Sequence, residues 1–561
     1  MRGNERGPSL RGWCFCACLV LGPVAYTFQL TSFLHAKEAV LALGVAVIAA
    51  LTLTERQQPV LRSWFFPLWL LLLFAVGTGA LRARVPELVL EDAVRWFVLL
   101  LLIVLVQDLF LKPLWRRRIW GAVLLSAGLV AALGVVQYFD LAPRLFPRFP
   151  GYDQRVYSVF GNQDLFGGYL AVALPLAVAA PAALFRGRLA LPVIMLLCFA
   201  LVLSGSRTAW LAAGLGLAVL LWQRHGHFQG DAASPRHTGR AIAFAGVALL
   251  FALLLTWPDP LARVVGTFGE GDVGGHARLW FWDGTLRMIS AEPLLGVGLG
   301  NYAYWSPHYL GAALHGRWGL QHFANELHTQ HAHSEVLELL AETGLVGAVL
   351  AGWMLLRLTS VRGPEWGGLL ALLVFALFNA GLHSAPHALL GLTLAGLLLG
   401  RRDAEHATGE VRESAGETRQ VIAGLPRRLA VVGLALALLV AHAHTTLIPS
   451  MLLTAAEDAH LAGDPRAEAR YIEALAHRWP QPDAHEAYAI LLLNEGRAVE
   501  AAAHLRAALR AKDTGRLHLL AARAAHALGR QSEAEQHLAA CLWRWPFSER
   551  AHDWARALHT R

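Results

Sequence analysis

Arginines and histidines in this chain stand where an anionic group held near lipid would be handled. Arg207 sits in the run Ser204-Gly205-Ser206-Arg207-Thr208 at the end of an apolar stretch. A lone arginine there would simply snorkel toward water. Its small neighbours leave room for a bulky anion and offer hydroxyl donors, and a guanidinium at the hydrocarbon edge needs a counter-charge. A lipid-borne phosphate supplies one with two-pronged geometry. Arg278, in HARLWFWDGTLRMIS, falls in the same outer layer and with Arg207 makes a candidate two-arginine clamp on a pyrophosphate; contact with lipid headgroups is the alternative.

The histidines His322, His328, His331 and His333 lie within twelve residues. Zinc is the obvious rival, but the spacing matches none of the common zinc motifs, so neither a metal nor another cofactor is expected. If helix begins by Gln330, then His331, Glu335, Glu338 and Glu342 form one stripe, with His331 satisfied by Glu335. His333 then points away from the stripe and is free to meet substrate as a neutral base.

Other candidates surround these. Leu279, Trp280, Trp282, Leu286 and Ile289 recur at helical spacing with Arg278, Asp283 and Arg287 among them. That predicts an amphipathic helix on the membrane surface with Trp280 and Trp282 as interfacial anchors, or as rings that stack on sugars. Alternating Gly296, Gly298 and Gly300 suggest backbone approaching a partner closely, or a tight re-entrant turn, and lack the dinucleotide fingerprint. Asn162 or Asp164 reads most simply as the cap of a helix. Ser206, Asn162, Arg287, Trp282 and His331 are carried as candidate substrate contacts.

The elements that position these residues are apolar. Of 561 residues 56% are hydrophobic and 16% charged, which excludes an ordinary soluble protein. Spans are expected near 12–30, 37–54, 64–80, 93–110, 119–138, 165–184, 189–205, 209–223, 241–257, 335–356, 367–381, 385–400 and 429–448. The first is expected to be a retained helix rather than a cleaved signal peptide. With the N-terminus in the cytoplasm, the basic loops around 112–118, 186–188, 224–240, 357–362 and 401–428 all fall inside, as the positive-inside rule asks. The same pattern explains a net charge of +8 better than nucleic-acid binding does. The segment 258–334 then faces the outside, the periplasm of a Gram-negative cell. Five cysteines, four of them in or beside apolar spans, predict no disulfide framework.

After position 449 the composition turns to Ala, Arg, Glu, His and Leu. Gly463, Gly496 and Gly529 open similar heptapeptides 33 residues apart, and Ile472, Leu505 and Leu538 keep the register. Stacked helix pairs account for this. It resembles tetratricopeptide repeats, over about 455–561, and suits a protein partner. The organisation expected is an all-α polytopic membrane domain over 1–450, with its catalytic loop at 258–334, and a helical repeat domain over 451–561.

Arg278-x-x-x-Trp282, Pro293-Leu-Leu-Gly-Val-Gly, His331-Ala-His333-Ser and Glu342-x-Gly344-Leu, with the upstream Ser206-Arg207 and Gly161-Asn162, resemble the signature of the O-antigen ligase and polymerase superfamily. The resemblance covers the membrane portion to about residue 400. It implies an inner-membrane enzyme of about a dozen helices that takes a glycan from undecaprenyl pyrophosphate. The acceptor it implies is lipid A-core, another lipid-linked glycan, or serine or threonine of a protein. By motif it puts the essential arginines and histidine at Arg207, Arg278 and His333, without a metal. A thirteenth span and the repeats depart from the simplest ligases. Readings from a different class are a transporter and a non-catalytic scaffold; the asymmetric outer loop argues against the inverted repeats usual in transporters.

Overall fold

The computed structural model describes residues 9–55, 60–146, 155–180, 190–225, 235–256, 259–267, 269, 272–316, 329–409, 420–421 and 424–559. Among these residues the sheet content is one antiparallel pair, Val60–Leu61 against Gln420–Val421. The rest of the regular structure is helical, as the apolar runs require.

The chain opens with α1 (Leu10–Val24), α2 (Phe33–Thr54), α3 (Phe66–Arg82), α4 (Pro86–Val106), α5 (Pro113–Tyr138), α6 (Gln163–Ala179), α7 (Ala190–Leu203), α8 (Arg207–His225) and α9 (Pro235–Leu255). A polar stretch holds α10 (Asp259–Val265), α11 (Val273–Ala291) and α12 (Tyr302–Gly316). The chain returns to the bundle through α13 (Glu335–Thr359), α14 (Glu365–Phe378), α15 (Ala385–Gly409) and α16 (Leu425–His442). Every expected span overlaps one of these helices. Among the described residues five helical stretches are long and apolar enough to cross a membrane: Phe33–Thr54, Ser63–Arg82, Pro113–Tyr138, Glu335–Thr359 and Leu425–Leu461. Shorter apolar helices, such as Gln163–Ala179 and Glu365–Phe378, pack among them.

Local chemistry sets the helix starts. Proline opens α3, α4, α5 and α16, where the missing N–H would have no partner anyway. Ser9, Ser32, Asn162 and Asp272 cap α1, α2, α6 and α11 by accepting first-turn N–H groups. Between helices, small residues decide what lies against what. A Cβ on Gly216 of α8 would strike the Gly367 carbonyl of α14, and one on Gly168 of α6 would strike the Phe375 ring of α14. Backbones that close hold α6, α8 and α14 as a tight trio, the way membrane helices associate when no hydrophobic gain is on offer.

The C-terminal helices are α17 (Ile448–Leu461), α18 (Ala467–Leu475), α19 (Pro482–Asn494), α20 (Ala498–Ala511), α21 (Gly515–Ala527), α22 (Gln531–Arg544) and α23 (Glu549–His559). The repeat read from the sequence marks the turn within each pair. Gly463, Gly496 and Gly529 sit between α17 and α18, α19 and α20, α21 and α22, all at left-handed φ of 65°, 77° and 71°. Only glycine takes that conformation without cost, which is why it recurs.

Two features differ from a detached module. First, α16 runs through a π-turn into α17 as one helix, Leu425–Leu461, so the boundary expected at 450 falls inside it. Second, the repeats dock on the polar stretch. His315 of α12 stacks on Trp543 with ring centroids 4.9 Å apart, and Trp545 meets Trp280 of α11 edge-on at 5.8 Å.

Candidate active site

Packing of α6, α8 and α14 brings the first turns of α6 and α8 and the last residue of α14 to one place. Two helix N-termini meet there, a setting that favours negative charge. Asn162 caps α6 through its Oδ1, which accepts the Asp164 and Leu165 amides at 2.8 and 3.0 Å. That leaves the Asp164 carboxylate facing α8 and α14. Its Oδ1 accepts the Ser206 hydroxyl at 2.6 Å and its Oδ2 accepts Arg278 Nη2 at 2.8 Å. Arg278 reaches in from α11 and also donates to Asn379 Oδ1 at 3.2 Å and to the Phe378 carbonyl at 3.2 Å. Asn379 in turn donates to Thr208 Oγ1 at 2.9 Å. Two predicted residues, Ser206 and Arg278, are thus joined by two that the sequence reading did not assign to the site, Asp164 and Asn379.

Arg207 stands next door and has its own partners. Its Nη2 donates to Asp272 Oδ1 at 2.7 Å, and its Nη1 to Thr267 Oγ1 at 3.0 Å. Asp272 is also the cap of α11, so one carboxylate ties Arg207 to the helix that carries Arg278. Gly205, at φ 62°, lies where further arginines converge: a Cβ there would come within 2.7 Å of Arg155 Cδ and 3.4 Å of Arg263 Nε. Asp164 feels the charges of Arg278 and Arg155 together.

His333 lies on the loop before α13 and takes a left-handed φ of 51°, a strained conformation for a residue with a side chain. Its surroundings impose it. Glu338 on the first turns of α13 accepts His331 Nδ1 at 2.8 Å and the Ala332 amide at 2.8 Å, which pins the loop from below. Phe281 of α11 stacks on the His333 ring, centroids 5.5 Å apart. Burial first, then the Arg278 and His331 charges, pull the His333 pKa from its ordinary value down to about 4. The imidazole is therefore neutral at any pH near 7. His383, between α14 and α15, goes the opposite way. Burial alone would lower it, but Glu338 and Glu335 outweigh that and hold its pKa at about 10.

Helix α13 begins at Glu335 rather than by Gln330, and the difference redistributes partners. His331 is on the loop and bonds Glu338, not Glu335. Glu335 takes the Leu382 amide at 2.5 Å and the His383 ring. The helix breaks at Gly344, with φ 63° and ψ −165°. The Pro293–Gly298 segment fills the break: Leu345 N donates to the Pro293 carbonyl at 2.9 Å and Gly298 N to the Glu342 carbonyl at 3.0 Å. A Cβ on Gly296 would collide with the Glu342 backbone, and one on Gly344 with the Leu294 backbone. The alternating glycines therefore mark close backbone approach between the α11–α12 connection and α13. That clasp sets α11, with Arg278, against the histidine loop.

One candidate falls elsewhere, and the tryptophans divide. Arg287 is on the outer face of α11, paired with Asp283 one turn earlier at 3.5 Å. Trp282 packs on Phe378 with centroids at 6.1 Å, and its buried Nε1 has no hydrogen-bond partner among the described residues, so its donor is available beside the Arg278 anchor. Trp280 is no interfacial anchor: it is 1% exposed, donates to the Leu310 carbonyl at 3.0 Å, and is covered by Trp545. An amphipathic stripe says only that one face is buried, and here protein covers it. His322 and His328 lie outside the described residues. As for metal, donor atoms of His331, Glu338 and His383 lie within 4.8 Å of one another, a set with the geometry to hold an ion. Spacing rules could not anticipate it, because His383 comes from another helix connection.

Known proteins bear on this site through one family. No curated protein matches the chain. Residues 192–352, well under half of its length, match the model of the family described as O-Antigen ligase, Wzy_C. The matched part contains Ser206, Arg207, Arg278, His331 and His333 and stops short of the C-terminal helices. The match places residues 192–352 in the O-antigen ligase and polymerase superfamily and makes this part of a multi-pass membrane chain O-antigen-ligase-like and enzymatic.

Proposed function

We propose that the protein transfers a glycan from undecaprenyl pyrophosphate to an acceptor hydroxyl at the periplasmic face of the bacterial inner membrane, in the manner of an O-antigen ligase. The observation that carries this reading is a histidine kept neutral beside an arginine at the meeting point of two helix N-termini. The donor's diphosphate oxygens take Arg278 and Arg207 as partners in place of Asp164 and Asp272, and Ser206 adds a hydroxyl. Within Arg278 the Nη1 group has no hydrogen-bond partner among the described residues and is ready for such an oxygen.

The acceptor O–H gives its proton to His333. Its oxygen bonds to the anomeric carbon as the bond from that carbon to the pyrophosphate oxygen breaks, and undecaprenyl pyrophosphate leaves. Attack from the opposite face inverts configuration. A bound dianion also raises the His333 pKa toward that of a competent base, offsetting Arg278. Guanidinium groups neutralise the developing phosphate charge, so the reaction runs without a metal. The basic residues of the described segments 112–118 and 357–362 support a cytoplasmic N-terminus, and the helix pairs after α16, tetratricopeptide-like in period, support a role in engaging a partner or acceptor.

The test is to supply the purified protein with lipid-linked glycan and, separately, lipid A-core, a second lipid-linked glycan, and a protein rich in serine and threonine. Glycosylated lipid A-core is the expected product. Label on the second glycan or on protein would make it a polymerase or a protein oligosaccharyltransferase, and transfer to none of the three would overturn the reading.

A further inference from the structure

Three side chains beside the loop that carries His333 turn their donor atoms toward one point. His331 Nδ1 lies 2.8 Å from Glu338 Oε1, and His383 Nε2 lies 3.2 Å from the same oxygen. All three donor atoms fall within 4.8 Å of one another. They come from three segments: the loop before α13, the start of α13, and the connection between α14 and α15. In a tetrahedral zinc site with ligand bonds of about 2.0–2.1 Å, neighbouring ligand atoms stand about 3.3 Å apart. The Glu338–His383 pair is there already, and the Glu338–His331 pair has to open by about 0.5 Å.

The groups behind the ligands fit the same reading. His383 sets its Nδ1 against Glu335 Oε1, 3.3 Å away. A carboxylate in that position fixes the tautomer that leaves Nε2 to a metal, and such partners recur behind metal-ligating histidines. Glu338 divides its oxygens: Oε2 accepts the Ala332 amide at 2.8 Å, which leaves Oε1 facing two imidazoles. One carboxylate oxygen between two ring nitrogens asks for positive charge in the middle. Without an ion that charge is the proton on His383. A bound ion takes the place of that proton on Nε2 and releases it, while Nδ1 keeps its own for Glu335. Arg95, the other cation acting on His383, stands against Asp92 at 3.0 Å. All three ligands line a cavity of about 630 Å³ between the membrane helices and the C-terminal helices, so the shell has room for a water as fourth ligand. Two imidazoles and one carboxylate suit Zn²⁺ rather than Mg²⁺ or Ca²⁺, which prefer oxygen alone.

We propose that His331, Glu338 and His383 form a Zn²⁺ site, and that the ion ties the histidine loop to α13 and to the α14–α15 connection. The glycosyl transfer proposed above uses none of these three side chains. The ion is therefore a brace for the loop and no reactant, and the site does not depend on that reaction.

The experiment uses the full chain, without a polyhistidine tag, in nanodiscs of phosphatidylethanolamine and phosphatidylglycerol. Zinc per folded chain is measured by plasma mass spectrometry after chelator-free purification. Chelator-stripped protein is then titrated with Zn²⁺, and with Mg²⁺ for comparison, and followed by calorimetry, thermal unfolding and amide hydrogen exchange. We expect one Zn²⁺ per chain that Mg²⁺ does not displace, an unfolding temperature higher by about 2–5 °C, and exchange about tenfold slower across 331–338. His331→Gln and His383→Gln should each weaken Zn²⁺ binding by about tenfold or more and lose both effects, while His331→Cys, which keeps a zinc ligand, should retain most of them. The His331 side chain is 35% exposed, so its variants carry the test if His383→Gln does not fold. His485→Gln, in a histidine pair of the repeats, should bind as wild type does. Zn²⁺ held no better than Mg²⁺, zinc content unchanged in His331→Gln, or binding with no slower exchange across the loop would overturn the proposal. Transfer by stripped protein should stay within about threefold; a loss of about 100-fold that Zn²⁺ restores would make the ion a reactant and overturn the brace. Metal content, unfolding and exchange are read without donor or acceptor, so a chain that transfers nothing would overturn the reaction and leave the zinc site standing.

Discussion

Arginine paired with carboxylate occurs at both ends of the bundle, and the two sets of pairs are built for different purposes. At the N-terminal end of α1, Arg11 is fully buried, and it donates to Glu55 at 2.7 Å, to Asp108 at 3.2 Å and to the Leu105 carbonyl at 2.6 Å. Nearby Glu365, also fully buried, takes Arg401 at 3.2 Å. At the other end, Arg207 and Arg278 keep 24% and 19% of their side-chain surface, and Asp164, the partner of Arg278, keeps 26%. The closed pairs can only hold helices together, because any exchange of partner would strand a charge in a low-dielectric interior. The open pairs can trade a carboxylate for an incoming phosphate with little desolvation left to pay. Between these two sets, burial of the ion pair, rather than its presence, separates scaffold from site.

That contrast can be broken by substitution. The largest effect is expected for His333→Ala, a loss of about 10³-fold in transfer at saturating donor while lipid-linked glycan accumulates. Near-wild-type turnover in purified protein would remove the base. Arg278→Lys should cost about 10²-fold in kcat/KM, since a point charge does not reproduce a fork held at three acceptors; an unaltered rate would separate Arg278 from the diphosphate. The pH profile is a finer probe. His333 titrates at about 4, below the ordinary histidine value. The free enzyme therefore keeps its base neutral through pH 5 to 7, and kcat/KM should fall only as pH drops through about 4; a limb near 6.5 would mean that His333 is not held as described. By linkage the same depressed pKa erodes stability as pH falls from the ordinary value toward 4, because the unfolded chain takes the proton first. Arg287→Ala, on the exposed i,i+4 pair, should change transfer by less than about twofold. Arg11→Ala should leave transfer per folded molecule unchanged and cost about 3–5 kcal/mol of stability, the penalty of stranding Glu55 and Asp108. A strong catalytic effect from Arg11 would collapse the distinction between the two ends.

Much of this was legible in the residues. Helices were, because twenty apolar residues in a row admit few other structures. So were the helix-pair turns, because left-handed backbone calls for glycine. Arg207 and Arg278 stood out because guanidinium groups beside lipid need a counter-charge, and His333 because it falls off the stripe of His331 and the glutamates and matches the family motif. Asp164 did not: one carboxylate two residues after a capping asparagine looks like helix-start chemistry, and its bond to Arg278 spans more than a hundred residues of sequence. Glu338 was placed on the correct stripe but given no role, since the loop it pins begins where helix was expected. The fate of Trp280 was unreadable for a different reason. Its covering residue, Trp545, belongs to helices whose composition reads as an independent unit, and periodicity does not say whether a buried face meets lipid or protein.

The most direct test of the central claim is the affinity of undecaprenyl pyrophosphate for the intact chain in nanodiscs, compared across wild type, Arg278→Lys, Arg207→Lys and Arg287→Lys. The account expects Kd to rise about tenfold or more for Arg278→Lys and Arg207→Lys and to stay within about twofold for Arg287→Lys. Equal affinity in all four proteins would contradict it, for the open arginines would then be as uninvolved in the diphosphate as the buried ones.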